Sequence, residues 1–432
     1  MNARVRALGV AVLKRNAGLR SRYRRSRTRL RSAVSRRHGR GALDAHCVVF
    51  ESFVGRSYAG SPRALYEAML GDERFADWRF VWAFRDVDHA GRFPALADAR
   101  TSIVAFRSAA YYAAFGRAGV WISNSIVAPE LRPRTGQMYV QTWHGTPLKR
   151  IGLDVVETTE TAMNGKAEID ERYLDEAQKV TAFLSAGPFT SQAFASAFAL
   201  PSHGAGSPFV ETGNPRNDEL VRATPGDVAG ARARLGIAPG QRVLLYAPTW
   251  RDDQHDSRSG YVYRQPLDIA ALRAAVGEDC VLLFRAHYLI TNVVDFGAYG
   301  GFVRDVSDVD EINELCLAAD VLITDYSSIF FDFALLDRPM VFFMYDLERY
   351  EHALRGFYLP VSEVPGPIAR TQDELHAALL RPGLDAADRH RRADLNRRMS
   401  PNDDGHACRR VLDMVLAPDQ RRVGPAEFRI GH

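Results

Sequence analysis

Short apolar segments recur along this chain, and each is followed by a polar loop and then by a helical stretch. The strand-like segments are residues 47–50, 80–84, 102–106, 119–122 and 138–142 in the first half, and 242–246, 280–285, 321–324 and 340–343 in the second. Helical patterns lie between several of them, at residues 62–70, 310–319 and 328–336. Strands that alternate with helices in this way indicate parallel sheets with crossover helices.

The alternation stops after the fifth segment and starts again beyond residue 205, which predicts two domains. We expect an α/β protein with two doubly wound domains and a cleft between them, at residues 44–205 and 206–385. A C-terminal helix and tail follow at residues 386–432. With 432 residues, 46% of them hydrophobic, the chain can bury two separate cores.

Residues 1–43 form a basic arm. Residues 1–40 contain 13 arginines and Lys14, and no acidic residue occurs before Asp44. The rest of the chain holds 42 basic against 52 acidic residues, so the net charge of +4 hides an acidic body and a basic arm. Such an arm attracts phosphate groups, either on an anionic membrane or on nucleic acid.

The sequence of the arm is compatible with a basic amphipathic helix on a membrane surface, or with a solvated, disordered tail. Its apolar run, residues 7–13, is far shorter than the roughly 20 residues that span a bilayer. We therefore expect neither a transmembrane helix nor a signal peptide. A nucleic-acid-binding protein is a non-enzymatic alternative, but the acidic body and an arm with Tyr23 as its sole aromatic residue argue against it.

The four cysteines are far apart and include no CxxC pair: Cys47, Cys280, Cys316 and Cys408. This excludes a disulfide framework and a zinc ribbon, and it is typical of a reducing compartment. The chain has no GxGxxG, Walker A or HExxH motif, so dinucleotide oxidoreductases, P-loop NTPases and zincins lack support. The acidic pairs at 252–253 and 403–404 lie in loop-like surroundings. We predict no metal site and no cofactor.

In open α/β sheets, ligands bind at the loops that leave the carboxyl ends of the strands. One such loop is QTWHGTPLK, residues 141–149. His144 can accept a proton near neutral pH, and Gly145 beside it lets a ligand approach closely. His144 is therefore a candidate general base, with a purely structural histidine as the alternative.

A second strand ends in FRAH, residues 284–287. Arg285 and His287 are two positions apart, so their side chains point the same way in an extended chain. Two such groups in one cleft suit an anion with several oxygens, such as a pyrophosphate. The alternative is a surface arginine and a packed histidine.

A third strand runs into a helix through VLITDYSS, residues 321–328. The hydroxyls of Ser327 and Ser328 lie where backbone N–H groups and the helix dipole favour a phosphate. A plain serine N-cap is the alternative. Two smaller clusters of turn formers, residues 212–218 and 246–251, also follow strand-like runs.

Together and in this order, these motifs resemble those of the CDP-glycerol glycerophosphotransferases, which build wall teichoic acids and related polyol-phosphate polymers. The resemblance is carried by WHGTPLKRIG (143–152), TGNPRND (212–218), YAPTWRDD (246–253), FRAH (284–287) and ITDYSSIFFDFALLDRPMVFF (323–343), with support at 345–350 and 356–358. It covers roughly residues 45–415 and leaves out the arm. Without the large N-terminal module of some family polymerases, the chain is similar to the shorter, primase-type members.

The resemblance implies a GT-B architecture, with two Rossmann-like, doubly wound domains that face each other across a central cleft. The first domain would receive the acceptor and the second would bind a CDP-polyol. It implies that His144 is the base and that His287 contacts the donor pyrophosphate, so these two form the expected catalytic pair. The positions expected to bind the donor are Gly145, Thr146, Pro147, Leu148, Arg216, Pro248, Thr249, Arg285, Ser327 and Ser328.

The implied reaction transfers a polyol phosphate from CDP-glycerol or CDP-ribitol to a hydroxyl of a lipid-linked acceptor or a growing polymer, and it releases CMP. Glycerol phosphate is the expected unit. The implied location is the cytoplasmic face of the membrane, where the arm would hold the enzyme peripherally. The alternative enzyme is a GT-B glycosyltransferase that uses a nucleotide sugar, although HGTP and DYSS are not expected together in such an enzyme.

Overall fold

The computed structural model describes residues 17–156, 165–204, 206–249, 255–256, 260–261, 266–285, 296–348, 356–382 and 384–417. Its strands are β1 Asp44–Glu51, β2 Arg79–Phe84, β3 Thr101–Ala105, β4 Ala118–Ser123, β5 Met138–Gln141, β6 Ala182–Leu184, β7 Phe209–Val210, β8 Arg242–Ala247, β9 His255–Asp256, β10 Gly260–Tyr261, β11 Cys280–Phe284, β12 Val303–Asp305, β13 Val321–Thr324, β14 Met340–Phe343 and β15 Ile368–Ala369. Its helices are α1 Ala17–His38, α2 Gly60–Leu70, α3 Ala109–Arg117, α4 Lys166–Ala177, α5 Pro188–Phe198, α6 Asp218–Val221, α7 Pro225–Arg234, α8 Ile269–Val276, α9 Ile312–Ala318, α10 Ile329–Phe333, α11 Gln372–Leu380, α12 Leu384–Ala387, α13 Arg389–Met399 and α14 Ala407–Leu416.

The strands form two parallel sheets. The first has the order β3-β2-β1-β4-β5-β6-β7 and the second the order β12-β11-β8-β13-β14-β15, while β9 and β10 pair as a short antiparallel ribbon. In each sheet the first strand of the chain lies inside and the later strands extend to both sides. The predicted doubly wound α/β fold is therefore confirmed. The strands of these two parallel sheets that the sequence pattern missed, β6, β7, β12 and β15, have only two or three residues each.

Each sheet is covered on both faces, because successive side chains of a strand point to opposite sides. In β1, Val48 and Phe50 belong to one apolar core while Cys47 and Val49 belong to another. The second sheet repeats this arrangement along β8. Strands that are buried on both faces read as continuous apolar runs, which is why these segments stand out in the sequence.

The structure departs from the predicted domain limits in two places. β7 pairs with β6 at residues 209–210, so the first sheet extends beyond residue 205. The predicted C-terminal helix is three helices, and Pro401 follows the end of the second one, α13, which a proline cannot continue. The last of them, α14, returns to the first domain, where Val411 and Leu412 are part of its core.

Within the arm, residues 17–38 form α1, and this helix packs against α3 of the first domain. Gly39 and Gly116 allow the close approach, since a Cβ on Gly116 would overlap the Cα of Gly39. Arg117 Nε donates a hydrogen bond to the carbonyl oxygen of Arg40 over 3.0 Å, and Arg134 Nη1 donates to that of Gly41 over 3.0 Å. The helical alternative therefore describes this part of the arm. Across the described residues, every helix is too short or too polar to cross a membrane.

Candidate active site

The candidate site lies where the carboxyl ends of the two sheets face each other. The loop after β5 carries His144, and the turn after β13 carries Ser327 and Ser328. The loops after β8 and β11 begin with Pro248 and Arg285. These are the strand ends at which ligands bind in doubly wound sheets.

His144 is held by a backbone contact and by aromatic neighbours. Its Nδ1 lies 2.8 Å from the carbonyl oxygen of Asn124, and its ring stacks on Trp143 with the ring centroids 4.6 Å apart. A carbonyl oxygen only accepts hydrogen bonds, so Nδ1 carries the proton and Nε2 presents its lone pair. Phe53 covers a further side, with its ring centroid 5.8 Å away.

The surroundings of His144 keep its imidazole neutral. His144 is solvent-exposed on the side of the cleft, while Trp143, Phe53 and Asn124 pack against the rest of its ring and displace water there. This loss of water, together with the positive charge of Arg216, lowers the pKa of His144 to about 4. The direction of the shift is what a base requires, because a neutral imidazole at pH 7 can accept a proton.

The backbone that places His144 is strained. Trp143 is buried and has φ +50°, in the left-handed region that a bulky residue rarely adopts. Its N–H donates to Oε1 of Gln141 over 3.0 Å, which fixes the sharp turn at the end of β5. Backbone strain of this kind is concentrated at functional sites, where the surrounding structure maintains it.

Asn124 is a site residue that the sequence motifs did not reveal. It is fully buried; besides contacting His144 through its carbonyl oxygen, it accepts a hydrogen bond from Phe53 N–H over 2.7 Å and donates to Ser52 Oγ over 3.1 Å. Asn124 thereby joins the loop after β1 to the candidate base. The sequence does carry a signal for it, because the polar run Ser123-Asn124-Ser125 begins at the last residue of the otherwise apolar strand β4.

The two domains meet at Gly145. A Cβ there would lie 3.0 Å from Nη2 of Arg216 and 3.4 Å from Oγ of Ser328. Gly145 also has φ +145°, so the position favours glycine for its backbone as well as for its space. The predicted residues His144, Gly145, Arg216 and Ser328 are therefore neighbours, although they come from three separate segments of the chain.

Arg216 is buried, and both of its terminal nitrogens bind other protein groups. Nη1 donates to the carbonyl oxygen of His144 over 2.6 Å, and Nη2 forms an ion pair with Asp332 at 2.5 Å. Nε is buried and has no hydrogen-bond partner among the described residues. The structure therefore gives Arg216 a positioning role beside the base, and a contact with the donor stays a prediction.

A polar network continues from Arg216 through the TGNPRND segment. Asn217 Nδ2 donates to Asp332 and to Asp403, each over 3.0 Å. Asn214 N–H also donates to Asp403, over 2.5 Å, and burial raises the pKa of that carboxyl group to about 6. Hydrogen bonds thus connect this segment, which lies between the two domains, to α10 and to the loop before α14.

The turn after β13 is organised by Asp325. Its buried carboxylate accepts hydrogen bonds from Thr249 N–H at 2.8 Å and from Tyr326 N–H at 2.6 Å. This brings Pro248 and Thr249 beside the turn that carries Ser327 and Ser328, and a contact of these four residues with a donor stays a prediction. Both serines are partly exposed, and Ser327 Oγ accepts from Ile329 N–H over 3.4 Å.

Leu148 does not face the site. It is buried in the apolar core of the second domain, and its carbonyl oxygen accepts from Tyr358 N–H over 2.8 Å. Arg150 N–H likewise donates to the carbonyl oxygen of Gly356 over 3.2 Å. The WHGTPLKRIG loop therefore crosses from the first domain into the second. The buried position of Leu148 does not indicate a donor-binding role.

Thr146 and Pro147 lie just before Leu148 in this loop and are also buried. Thr146 Oγ1 has no hydrogen-bond partner among the described residues.

Arg285 binds a protein loop instead of opening into the cleft. Its Nη1 donates to the carbonyl oxygens of Val306 at 2.8 Å and Ser307 at 3.1 Å, and also to that of Val309. Burial lowers the pKa of this guanidinium from its usual value. His287 lies outside the described residues, so the predicted pairing of Arg285 with His287 remains a prediction.

Two carboxylates of the second domain bind the first domain near the site. Glu311 accepts a hydrogen bond from Gly60 N–H over 2.7 Å, and Asp310 lies 2.8 Å from Nε2 of His89. Within the described ranges, no group of three or more His, Cys, Asp or Glu side chains is arranged to hold a metal ion. The four cysteines are buried thiols.

Two doubly wound sheets with their carboxyl ends facing each other define the GT-B class of architecture. Within that class, the chain belongs to the CDP-glycerol:poly(glycerophosphate) glycerophosphotransferase family, whose model matches residues 33–417. The match begins inside α1, so it includes a part of the arm that the sequence motifs had left out.

Three relatives show the similarity at the level of sequence. The chain is 37% identical over 335 residues to a teichoic acid glycerol-phosphate transferase of Staphylococcus aureus, a match that covers 77% of this chain and 82% of the relative. It is 37% identical to a teichoic acid poly(glycerol phosphate) polymerase of Staphylococcus epidermidis and 36% identical to one of Bacillus subtilis. Those matches cover 74% and 77% of this chain, but only 43% of each polymerase.

Solved structures show the same fold. A structure of the wall teichoic acid polymerase TagF superposes with a TM-score of 0.77 at 32% identity, covering 86% of this chain and 89% of that one. A TagF variant soaked with CDPG superposes with a TM-score of 0.80 at 30% identity, covering 92% and 96% of the two chains.

Proposed function

We propose that this protein transfers glycerol phosphate from CDP-glycerol to a hydroxyl group of a polyol-phosphate acceptor and releases CMP. The observation that carries the proposal is the convergence of His144 from the first domain with Arg216 and Ser328 from the second. A proton acceptor and groups suited to phosphate meet there between two domains that each offer strand ends for one substrate. The family and its teichoic acid relatives support the donor and the kind of acceptor.

The reaction needs a base, and His144 supplies it. Its Nε2 accepts the proton of the acceptor hydroxyl while that oxygen attacks the β-phosphorus of CDP-glycerol. The bond between this phosphorus and the bridging oxygen breaks, and CMP leaves with the electron pair. Negative charge spreads over the phosphoryl oxygens, where Ser327, Ser328 and His287 would stabilise it by donating hydrogen bonds.

A direct assay tests the function. The full chain is incubated with CDP-glycerol or CDP-ribitol and a water-soluble polyol-phosphate acceptor, and the products are weighed by mass spectrometry. We expect CMP release and an acceptor heavier by one or more glycerol phosphate units. Mass gain from a nucleotide sugar, with none from either CDP-polyol, would instead support a GT-B glycosyltransferase.

The arm supports a second part of the proposal, peripheral attachment to an anionic membrane surface at the cytoplasmic face. While one side of α1 packs on α3, Tyr23, Leu30 and Val34 remain exposed, and Leu30 is 71% exposed. The spacings of 7 and 4 residues place these three side chains on one stripe of the helix, with arginines along both sides. An apolar stripe with flanking arginines suits the interface of an anionic bilayer.

Sedimentation with anionic liposomes tests the attachment. Since α1 packs on the body, the double variant Tyr23→Ser, Leu30→Ser is a cleaner probe than deletion of residues 1–40. We expect the variant to pellet several-fold less than the unchanged chain, and both to pellet less as the salt concentration rises. Ala33→Ser, on an exposed position of the same helix, is the control. Equal and salt-insensitive pelleting of all three proteins would contradict attachment through α1.

A further inference from the structure

Three arginines follow the carboxyl ends of three neighbouring strands in the first domain: Arg56 after β1, Arg85 after β2 and Arg107 after β3. We call them the arginine row. The row lies in the first domain, on the same edge of the sheet as His144 but on the side away from β6 and β7. Arg56 and Arg85 are exposed, and the side chain of Arg107 is 28% exposed.

Each member of the row is held in place by a protein contact. Arg56 Nη1 donates to the carbonyl oxygen of Phe53 over 3.3 Å, and Arg85 Nε donates to that of Val54 over 2.8 Å. Arg85 and Arg107 share one aromatic ring, since their guanidinium carbons lie 4.8 and 5.0 Å from the centroid of Phe106. The side chains are therefore aligned before any ligand binds.

The row begins next to the candidate base. Phe53, whose carbonyl oxygen binds Arg56, is the residue whose ring lies 5.8 Å from His144. Phe53 and Val54 have φ +45° and +60°, and Arg107 has φ +63°, all in the left-handed region. Non-glycine residues in this region are uncommon and mark positions where the fold maintains strain for a purpose. Here the strained residues include Phe53 and Val54, whose carbonyl oxygens hold the guanidinium groups of Arg56 and Arg85, and Arg107 itself.

Like charges this close repel each other unless an anion lies among them. Partial loss of water around its guanidinium group lowers the pKa of Arg85, and the positive charges of Arg56 and Arg107 lower it further. Glu130 pairs with Arg107 at 2.6 Å, and Asp86 accepts a hydrogen bond from Asp88 N–H. Glu51, below the row, is fully buried, and this raises its pKa to about 7, so it is only partly charged near neutral pH. Arg56 and Arg85 remain exposed, so their guanidinium groups are accessible to an anionic ligand.

We infer that the arginine row binds the phosphodiester groups of the acceptor chain and leads its terminal hydroxyl to His144. This inference rests on the proposed function. Neighbouring strands lie about 4.8 Å apart, so the three strand ends that carry the row span about 10 Å. A single phosphate is too small to contact all three arginines, whereas a chain of repeated phosphodiesters can place one anionic group at each. Arginine also suits phosphate oxygens because its planar fork donates two hydrogen bonds at once.

The test compares acceptors that differ only in the number of phosphates. The full chain and the variant Arg56→Gln, Arg85→Gln are given CDP-glycerol with an acceptor of one glycerol phosphate unit or of about six. Arg107 is left intact, because its removal would strand the buried Glu130. The control is Arg397→Gln, which removes an exposed arginine from α13 in the second domain.

We expect the KM for the longer acceptor to be about tenfold higher in the variant, because two exposed ion pairs with the acceptor are lost. The KM for the short acceptor and the KM for CDP-glycerol should change little. The salt dependence of the KM for the longer acceptor should also become weaker. Equal KM values for the long acceptor in the variant and in the Arg397→Gln control would overturn the inference.

A binding measurement separates this inference from the proposed function. Calorimetry with a glycerol phosphate oligomer alone, without donor, measures the row even if the protein catalyses no transfer from CDP-glycerol. Weaker binding by the variant supports the row, and unchanged binding overturns it. If the variant instead loses only its sedimentation with anionic vesicles, the row faces lipid and the inference is wrong.

Discussion

Arg216 donates a hydrogen bond over 2.6 Å to the carbonyl oxygen of His144, so a residue of the segment that joins the domains fixes the backbone of the candidate base. The same guanidinium is paired with Asp332 of α10. The position of His144 therefore depends on the second domain as well as on the sheet that carries it.

Breaking the pair between Arg216 and Asp332 should be costly, since either partner alone would leave a buried charge without its counterion. We expect Arg216→Met and Asp332→Leu each to lower the free energy of unfolding by about 3–5 kcal/mol, and the double variant to lose less than the sum. Urea unfolding of the four proteins gives the coupling energy. The exposed pair Arg398–Glu363 provides the control cycle, with an expected coupling of about 0–1 kcal/mol. Additive losses at Arg216 and Asp332 would show that the pair is not coupled.

Replacement of the candidate base should remove activity and leave the fold intact. We expect His144→Ala to lower kcat by about 10²–10⁴-fold, because a general base contributes that much to proton transfer. CMP release measures the rate, and circular dichroism checks the fold. His390→Ala, at an exposed position on α13, should retain the activity of the unchanged chain. A folded His144→Ala protein with nearly full turnover would exclude His144 as the base.

The acid limb of the activity profile should lie below the ordinary pKa of histidine, about 6.5. Enclosure by the cleft lowers the pKa of His144, so the imidazole stays neutral and able to accept a proton as the pH falls past 6.5. Activity should decline only when the pH approaches the lowered pKa. The measurement is kcat/KM between pH 4 and 8, with unfolding monitored at each pH. A decline centred at or above 6.5 would contradict the assigned environment of His144.

Glu51 should weaken the fold at alkaline pH. It is fully buried, Tyr111 donates to its Oε2 over 2.9 Å, and its Oε1 has no hydrogen-bond partner among the described residues. Burial raises its pKa to about 7, so the folded protein binds a proton that the unfolded chain has already released above about pH 4.5. The contribution of Glu51 to stability is thus present below pH 4.5 and is lost as the pH rises through 7.

The variant Glu51→Gln mimics the protonated side chain and tests this. At pH 8 we expect it to be more stable than the unchanged chain by roughly 3 kcal/mol, since each pKa unit corresponds to about 1.4 kcal/mol, and at pH 4 to be equal to it. Chemical denaturation at both values measures the difference. The exposed control Glu73→Gln should change stability by less than about 0.5 kcal/mol at either pH. A Glu51→Gln protein that gains no stability relative to the unchanged chain on going from pH 4 to pH 8 would contradict the raised pKa.

The amino-acid pattern was enough to predict the two doubly wound sheets and the edge of each sheet at which the site lies. Strands buried on both faces must be apolar throughout, so β1, β8 and β13 are visible as apolar runs, and the polar residues after a strand must leave the sheet at its carboxyl end. That rule alone located His144, Ser327 and Ser328. It did not find β7, because two residues are too few to show a period.

The tertiary structure alone decided which of these residues meet and what each one binds. Leu148 belongs to the core of the second domain, although the loop that carries it follows a strand of the first domain. Arg285 donates to the carbonyl oxygens of a protein loop, although its position at a strand end suited a pyrophosphate. Arg216 contacts His144 across 72 positions of sequence. The periodicity of a sequence records which face of an element is buried, whereas a hydrogen bond requires two groups to come within about 3 Å, and that distance depends on how the two domains pack.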